Sequence, residues 1–117
     1  MKQLIETIPN FSVSKEKDPD TFKGLVEIVK SNKDVILIDA QSDVDHNRSV
    51  LTIIGDPSAI EDVSFELAKF ARDNIDMNYH HGEHSRMGAT DVMPFVPTLN
   101  TSIDDCIEVS KRVAKKI

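Results

Sequence analysis

The amino-acid sequence predicts an α+β fold in a single domain, residues 1–117, and three observations carry that prediction. Short β-branched runs alternate with stretches whose apolar residues recur every three or four positions. Two Asp-Pro pairs, Asp18–Pro19 and Asp56–Pro57, open two of the helical stretches in the same way. A third helical stretch closes the chain. The order is strand–helix–strand, strand–helix–strand, helix. That is a ferredoxin-like βαββαβ sheet with helices on one face, plus a C-terminal helix.

Taken in order, Gln3 to Ile8 (QLIETI) is a β-like run closed by Pro9 and Asn10. After the polar SVSKEKDPD, Asp18 suits an N-cap and Pro19 the first helical position. Phe22, Leu25, Val26 and Val29 mark one helix face. Asp34 to Asp39 (DVILID) has a continuous apolar centre, as in a buried strand. Ser49 to Ile54 (SVLTII) is the next strand. The nine residues between them, AQSDVDHNR, are polar and long for a tight hairpin, and long loops are often functional. Asp56 and Pro57 open a second helix to about Ile75, with Ile60, Val63, Leu67, Phe70 and Ala71 on its inner face. TDVMPFVP, with prolines at positions 94 and 97, suits an edge strand. TSIDDCIEVSKRVAKKI closes the chain as a third helix, with Ile103, Cys106, Ile107, Val113 and Ile117 inward.

Composition narrows the function classes. The chain is 39% hydrophobic and 29% charged, the balance of a globular domain. A net charge of −6 with no offsetting Lys/Arg block argues against nucleic acid or an anionic membrane as partner. The basic run SKRVAKKI suits the C-terminal end of a helix. One cysteine, Cys106, permits no internal disulfide and suits a buried small hydrophobe. No run approaches a membrane span and no apolar leader precedes a cleavage site, so a cytoplasmic setting is expected.

The chemistry concentrates in NYHHGEHSRMGATDVMPFVP, residues 78 to 97. His80 and His84 are four apart, the spacing of a zinc-binding helix, but Gly82 between them disfavours a helix and no further ligands follow. No metal is therefore expected. No serine sits in a nucleophile elbow, and no glycine pattern cradles a phosphate. General acid–base chemistry fits better. An imidazole titrates near neutral pH, a neighbouring carboxylate can orient it, and Arg86 can grip a substrate carboxylate with a forked pair of bonds. A solvated histidine-rich turn is the plain alternative. The segment DVDHNRS adds Asp43, Asp45, His46, Asn47 and Arg48, either a solvated turn or a second wall of the same site. Pro9 to Ser12 (PNFS), with Asn10, is a third segment that strand ends facing one way would bring to it.

IPNFS, DHNRSVLTIIG, HHGEHSRMGATDVMPFVP and DDCIEVSKRVA occur in that order along the chain. Together they resemble the N-terminal subdomain of glutamate formimidoyltransferase (formiminotransferase), over essentially all 117 residues. The most specific piece is close to the family's HxGEHPRMGAxDVxPFxP. The resemblance implies transfer of a formimino group from N-formimino-L-glutamate to N5 of tetrahydrofolate, a co-substrate, in histidine degradation. It implies that His84 is the catalytic acid–base. Asn10, Asn47, Arg48, His80, His81 and Arg86 would bind substrate, with no metal. Small molecules are the expected partners, and either self-association or a second subdomain is expected beside them. The alternative is a non-catalytic short homologue that binds a folate-like molecule or regulates. The chain departs from the family where NFSEGR reads NFSVSKEKD, LLDVD reads LIDAQ and GEHPR reads GEHSR.

Overall fold

The computed structural model describes residues 2–75 and 90–116. Its elements run β1 (Leu4–Thr7), β2 (Asn10–Phe11), α1 (Pro19–Ser31), β3 (Val35–Asp43), β4 (Arg48–Gly55), α2 (Pro57–Asn74), β5 (Thr90–Val92), β6 (Phe95–Leu99) and α3 (Ile103–Lys116). All the strand pairings are antiparallel. β4 pairs with β3 on one side and with β1 and β2, end to end, on the other. Beyond them β6 pairs with β1, and β5 with β2. Treating β1–β2 and β5–β6 as two interrupted strands gives four ribbons in which the first and third are central. That is the ferredoxin-like α+β arrangement the sequence predicts.

The helix ends follow from local chemistry. Asp18 accepts from the Thr21 N–H (3.2 Å) and the Thr21 hydroxyl (2.7 Å), and Asp56 accepts from the Ala59 N–H (2.8 Å). Proline follows each cap, where its missing N–H costs nothing. At the start of α3, Ser102 Oγ accepts from the Asp105 N–H, and Asp105 accepts from the Ser102 N–H. That is a reciprocal capping pair.

Burial along β4 alternates strictly, with Ser49, Leu51, Ile53 and Gly55 enclosed. One face of the sheet is therefore under the helices. Ile5, Phe11, Leu51 and Ile53 of that face meet Leu25 and Val29 of α1, Ile60, Val63 and Leu67 of α2, and Cys106, Val109 and Val113 of α3. Each such side chain contributes about 1.5–3 kcal/mol by leaving water. Glu61 clips α3 to α2, accepting from Arg112 Nε (2.6 Å) and pairing with Lys116 Nζ (2.9 Å).

Four local expectations change. DVILID is not buried on both faces. Ile36 and Ile38 are 66% and 55% exposed, because no element among the described residues covers the second face of the sheet and the register shifts between Leu37 and Asp39. The nine polar residues after it are not a long loop: β3 continues to Asp43 and β4 starts at Arg48, leaving a four-residue turn. An edge strand with one wet face accepts polar residues without losing its ladder. PNFS does not end the first strand but resumes it as β2. In α3 the buried stripe is Cys106, Val109 and Val113, with Ile103 and Ile107 exposed. Ile117 lies outside the described residues. No helix among the described residues is long and apolar enough to cross a membrane.

Candidate functional site

β2 is the shortest strand and sets the site. Asn10 faces Val50 of β4 on one side and Val92 of β5 on the other, and Phe11 faces Ser49 and Thr90. Three of the segments singled out in the sequence thus meet at one end of the sheet: PNFS, DHNRS and the start of TDVMPF. Strand spacing places Ser49 about 10 Å from Thr90, two ladder steps across.

Arg48 and Val50 point to the same face of β4, since side chains alternate along a strand. Arg48 is thus a diagonal neighbour of Asn10, at about 7–8 Å. The Asn10 amide donates to the Ile8 carbonyl (3.1 Å), which holds the side chain beside the interruption between β1 and β2. Arg48 is exposed and forms no ion pair with a described residue. No described carboxylate therefore occupies its guanidinium.

The β3–β4 turn is built by Asp43 and Asn47. Asp43 Oδ1 accepts from the backbone N–H of Asp45 (3.0 Å) and of His46 (3.4 Å), an Asx turn. The Asn47 N–H closes the turn on the Val44 carbonyl (3.2 Å). Asn47 holds a left-handed backbone, φ 47°, which asparagine tolerates better than most residues. Its Oδ1 is buried without a hydrogen-bond partner among the described residues, as is Ser49 Oγ. Asp43 Oδ2 meets His46 Nδ1 at 2.6 Å. That hydrogen bond, the largest of several causes, lowers the Asp43 pKa below the ordinary carboxylate value.

His80, His81, His84 and Arg86 lie outside the described residues. The structure therefore assembles Asn10, Asn47 and Arg48 and leaves the other four expected site residues unplaced. No group of three or more His, Cys, Asp or Glu that could hold a metal occurs among the described residues. Cys106 is buried, and burial, chiefly, pushes its thiol pKa up, as for an inert packing cysteine. Asp43 and His46 stand in the segment that the sequence offers as a second wall; their pairing with each other is what the sequence reading does not contain. Their i, i+3 spacing inside DVDHNRS was the available signal.

Residues 4–117 match the family model described as formiminotransferase domain, N-terminal subdomain. The chain belongs to this family. It is 49% identical over its full 117 residues to glutamate formimidoyltransferase of Streptococcus pyogenes serotype M1. It is 38% identical over 114 residues to glutamate formimidoyltransferase of Thermoplasma acidophilum. A formimidoyltransferase-cyclodeaminase of Dictyostelium discoideum is 37% identical over 117 residues. The chain spans 38%, 37% and 21% of these relatives' lengths, respectively.

Two departures from the family pattern have structural partners in this formiminotransferase subdomain. Gln41, in LIDAQ, donates to Asp39 Oδ2 at 2.7 Å. In SVSKEKD, the Lys15 N–H donates to Ser42 Oγ (2.7 Å), and the Ser42 hydroxyl donates to Glu16 (2.9 Å). The segment ahead of α1 is thereby tied to β3 next to the turn. The third departure, Ser85, lies outside the described residues.

Proposed function

We propose that the chain forms the N-terminal part of a glutamate formimidoyltransferase, which moves the formimino group of N-formimino-L-glutamate to N5 of tetrahydrofolate in histidine degradation. The observation that carries this reading is 49% identity over the whole chain to a protein of that name. Because the chain spans 38% of that relative, the activity is proposed for the whole protein. N5 attacks the formimino carbon, the C=N electron pair moves to nitrogen, and the tetrahedral adduct expels the glutamate nitrogen. The attacking amine loses a proton and the leaving amine gains one. An imidazole with a pKa near about 6.5 serves both steps, and His84 is assigned that role.

Both substrates carry carboxylates, which suits Arg48 and Arg86 as anchors. Asn47 Oδ1, a buried acceptor without a donor among the described residues, suits a substrate N–H, and Asn10 stands at the same sheet end. His80 and His81 line the pocket in this reading. The chemistry needs no metal and takes place among small molecules in the cytoplasm.

The test is formimino transfer to tetrahydrofolate by the protein in its full form, with His84→Ala beside the wild type. A fall in kcat of about 100-fold or more is expected, the scale of lost acid–base catalysis. Wild-type turnover no faster than the variant would sink the reading.

A further inference from the structure

His46 carries a bond that its turn does not need. The turn is closed by the Asn47 N–H on Val44, and Asp43 Oδ1 shapes it through two backbone N–H groups. Those contacts complete the Asx turn. Asp43 Oδ2 is left over, and it fixes the ring of His46 at 2.6 Å. The imidazole side chain is 70% exposed, so no burial offsets the rotamer freedom lost in that bond. A carboxylate on Nδ1 selects the tautomer in which Nδ1 carries the proton and Nε2 is the free acceptor. The neighbours are polar and unclaimed among the described residues: the exposed Arg48 guanidinium at the start of β4, and Asn47 Oδ1.

We propose that Asp43 and His46 form a second proton-carrying dyad of the transfer reaction, with His46 Nε2 as the working atom and Asp43 as its positioning residue. The inference rests on the function proposed above and adds to it a role for the β3–β4 turn. In the step assigned to it, His46 Nε2 accepts the proton released by the attacking amine as its nitrogen bonds to the formimino carbon. The imidazolium is held by the Asp43 carboxylate. No electron donor or acceptor beyond the two substrates is required. The dyad thereby divides the work that the reading above gives to His84 alone: His46 acts at the entering amine, and His84 keeps the proton transfer to the leaving amine. The charged groups of the turn are Asp43, Asp45 and Arg48, and Glu16 reaches β3 beside it through Ser42.

The experiment is a kinetic and spectroscopic comparison of wild type, His46→Ala and Asp43→Asn in the full protein. His46→Ala is expected to lower kcat at least tenfold with KM within about twofold, and added imidazole to restore part of the loss. Asp43→Asn is expected to move the acidic limb of the kcat pH profile. In the wild type, 15N spectra of the ring are expected to show Nδ1 protonated at neutral pH, and Asp43→Asn to return the usual tautomer mixture. A wild type that is active, with a His46→Ala variant of unchanged kcat and pH profile, overturns the dyad alone. An inactive wild type overturns the function it rests on. A ring that shows the free tautomer mixture in the wild type overturns the positioning role.

Discussion

The two faces of this sheet divide the molecule's labour. The covered face is apolar and closed: Ile5, Phe11, Leu51 and Ile53 are inaccessible to solvent. The uncovered face mixes exposed Ile36, Val92 and Val96 with Asn10, Gln41 and Arg48. Alternation along the same strands produces both, so adjacent residues of β4 serve opposite ends. Leu51 and Ile53 hold the helices, while Arg48, three residues before Leu51 in the same strand, is exposed and has no ion pair among the described residues. Folding energy and candidate chemistry are therefore separable by single substitutions.

The largest expected effect is on the covered face. Leu51→Ala should lose about 2–5 kcal/mol of stability, through lost transfer energy and the cavity left behind. Denaturant unfolding checks it, and a small loss would mean the helices repack over the gap. Next comes the opposite face. Arg48→Ala should weaken substrate binding by about 1.5–3 kcal/mol, read as a rise in KM, because a charged hydrogen bond is lost. Its unfolding midpoint should stay within about 0.5 kcal/mol of wild type, and a matching loss of stability would erase the proposed division.

Gly55 sharpens the comparison from inside the core. A Cβ there would lie 2.8 Å from the Asp34 carbonyl oxygen and 2.7 Å from a Val35 methyl. Backbone cannot move aside as a side chain can, so Gly55→Ala should cost about 1–3 kcal/mol, seen as a lowered Tm.

A smaller effect belongs to the α2–α3 clip. Hydrogen bonds from Arg112 and then Lys116 hold the Glu61 carboxyl below its usual pKa of 4.5. A carboxyl depressed on folding adds stability above its unfolded pKa and loses it as pH falls through the folded value. Glu61→Gln should therefore cost about 1 kcal/mol or less at pH 7 and flatten the loss of stability below pH 4.5, measured by thermal melts across pH. The smallest effect is expected at Ile36→Thr, within about 0.5 kcal/mol, because the side chain is already in water. A loss near that of Leu51→Ala would show that the uncovered face is buried in solution against something else.

Local pattern along the chain specifies the helices and most of the strands. Asp18–Pro19 and Asp56–Pro57 name two helix starts because capping and proline geometry act within one turn. The β-branched run of β4 names its strand, and the family motifs name Asn10, Asn47 and Arg48 as a set. Tertiary structure decided what local pattern does not encode. DVILID looks buried from its composition, yet only the uncovered face shows that Ile36 and Ile38 meet water. The polar run 40–48 looks like a loop, yet β4 draws most of it into a hairpin, since ladder hydrogen bonds come from the partner strand. The pairing of Asp43 Oδ2 with His46 appears only once that hairpin has closed. The meeting of β2, β4 and β5 is likewise a fact of register, set by contacts among residues some forty and some eighty positions apart. Sequence order records the candidate residues, and only the ladder brings Asn10 and Arg48 to one end of the sheet.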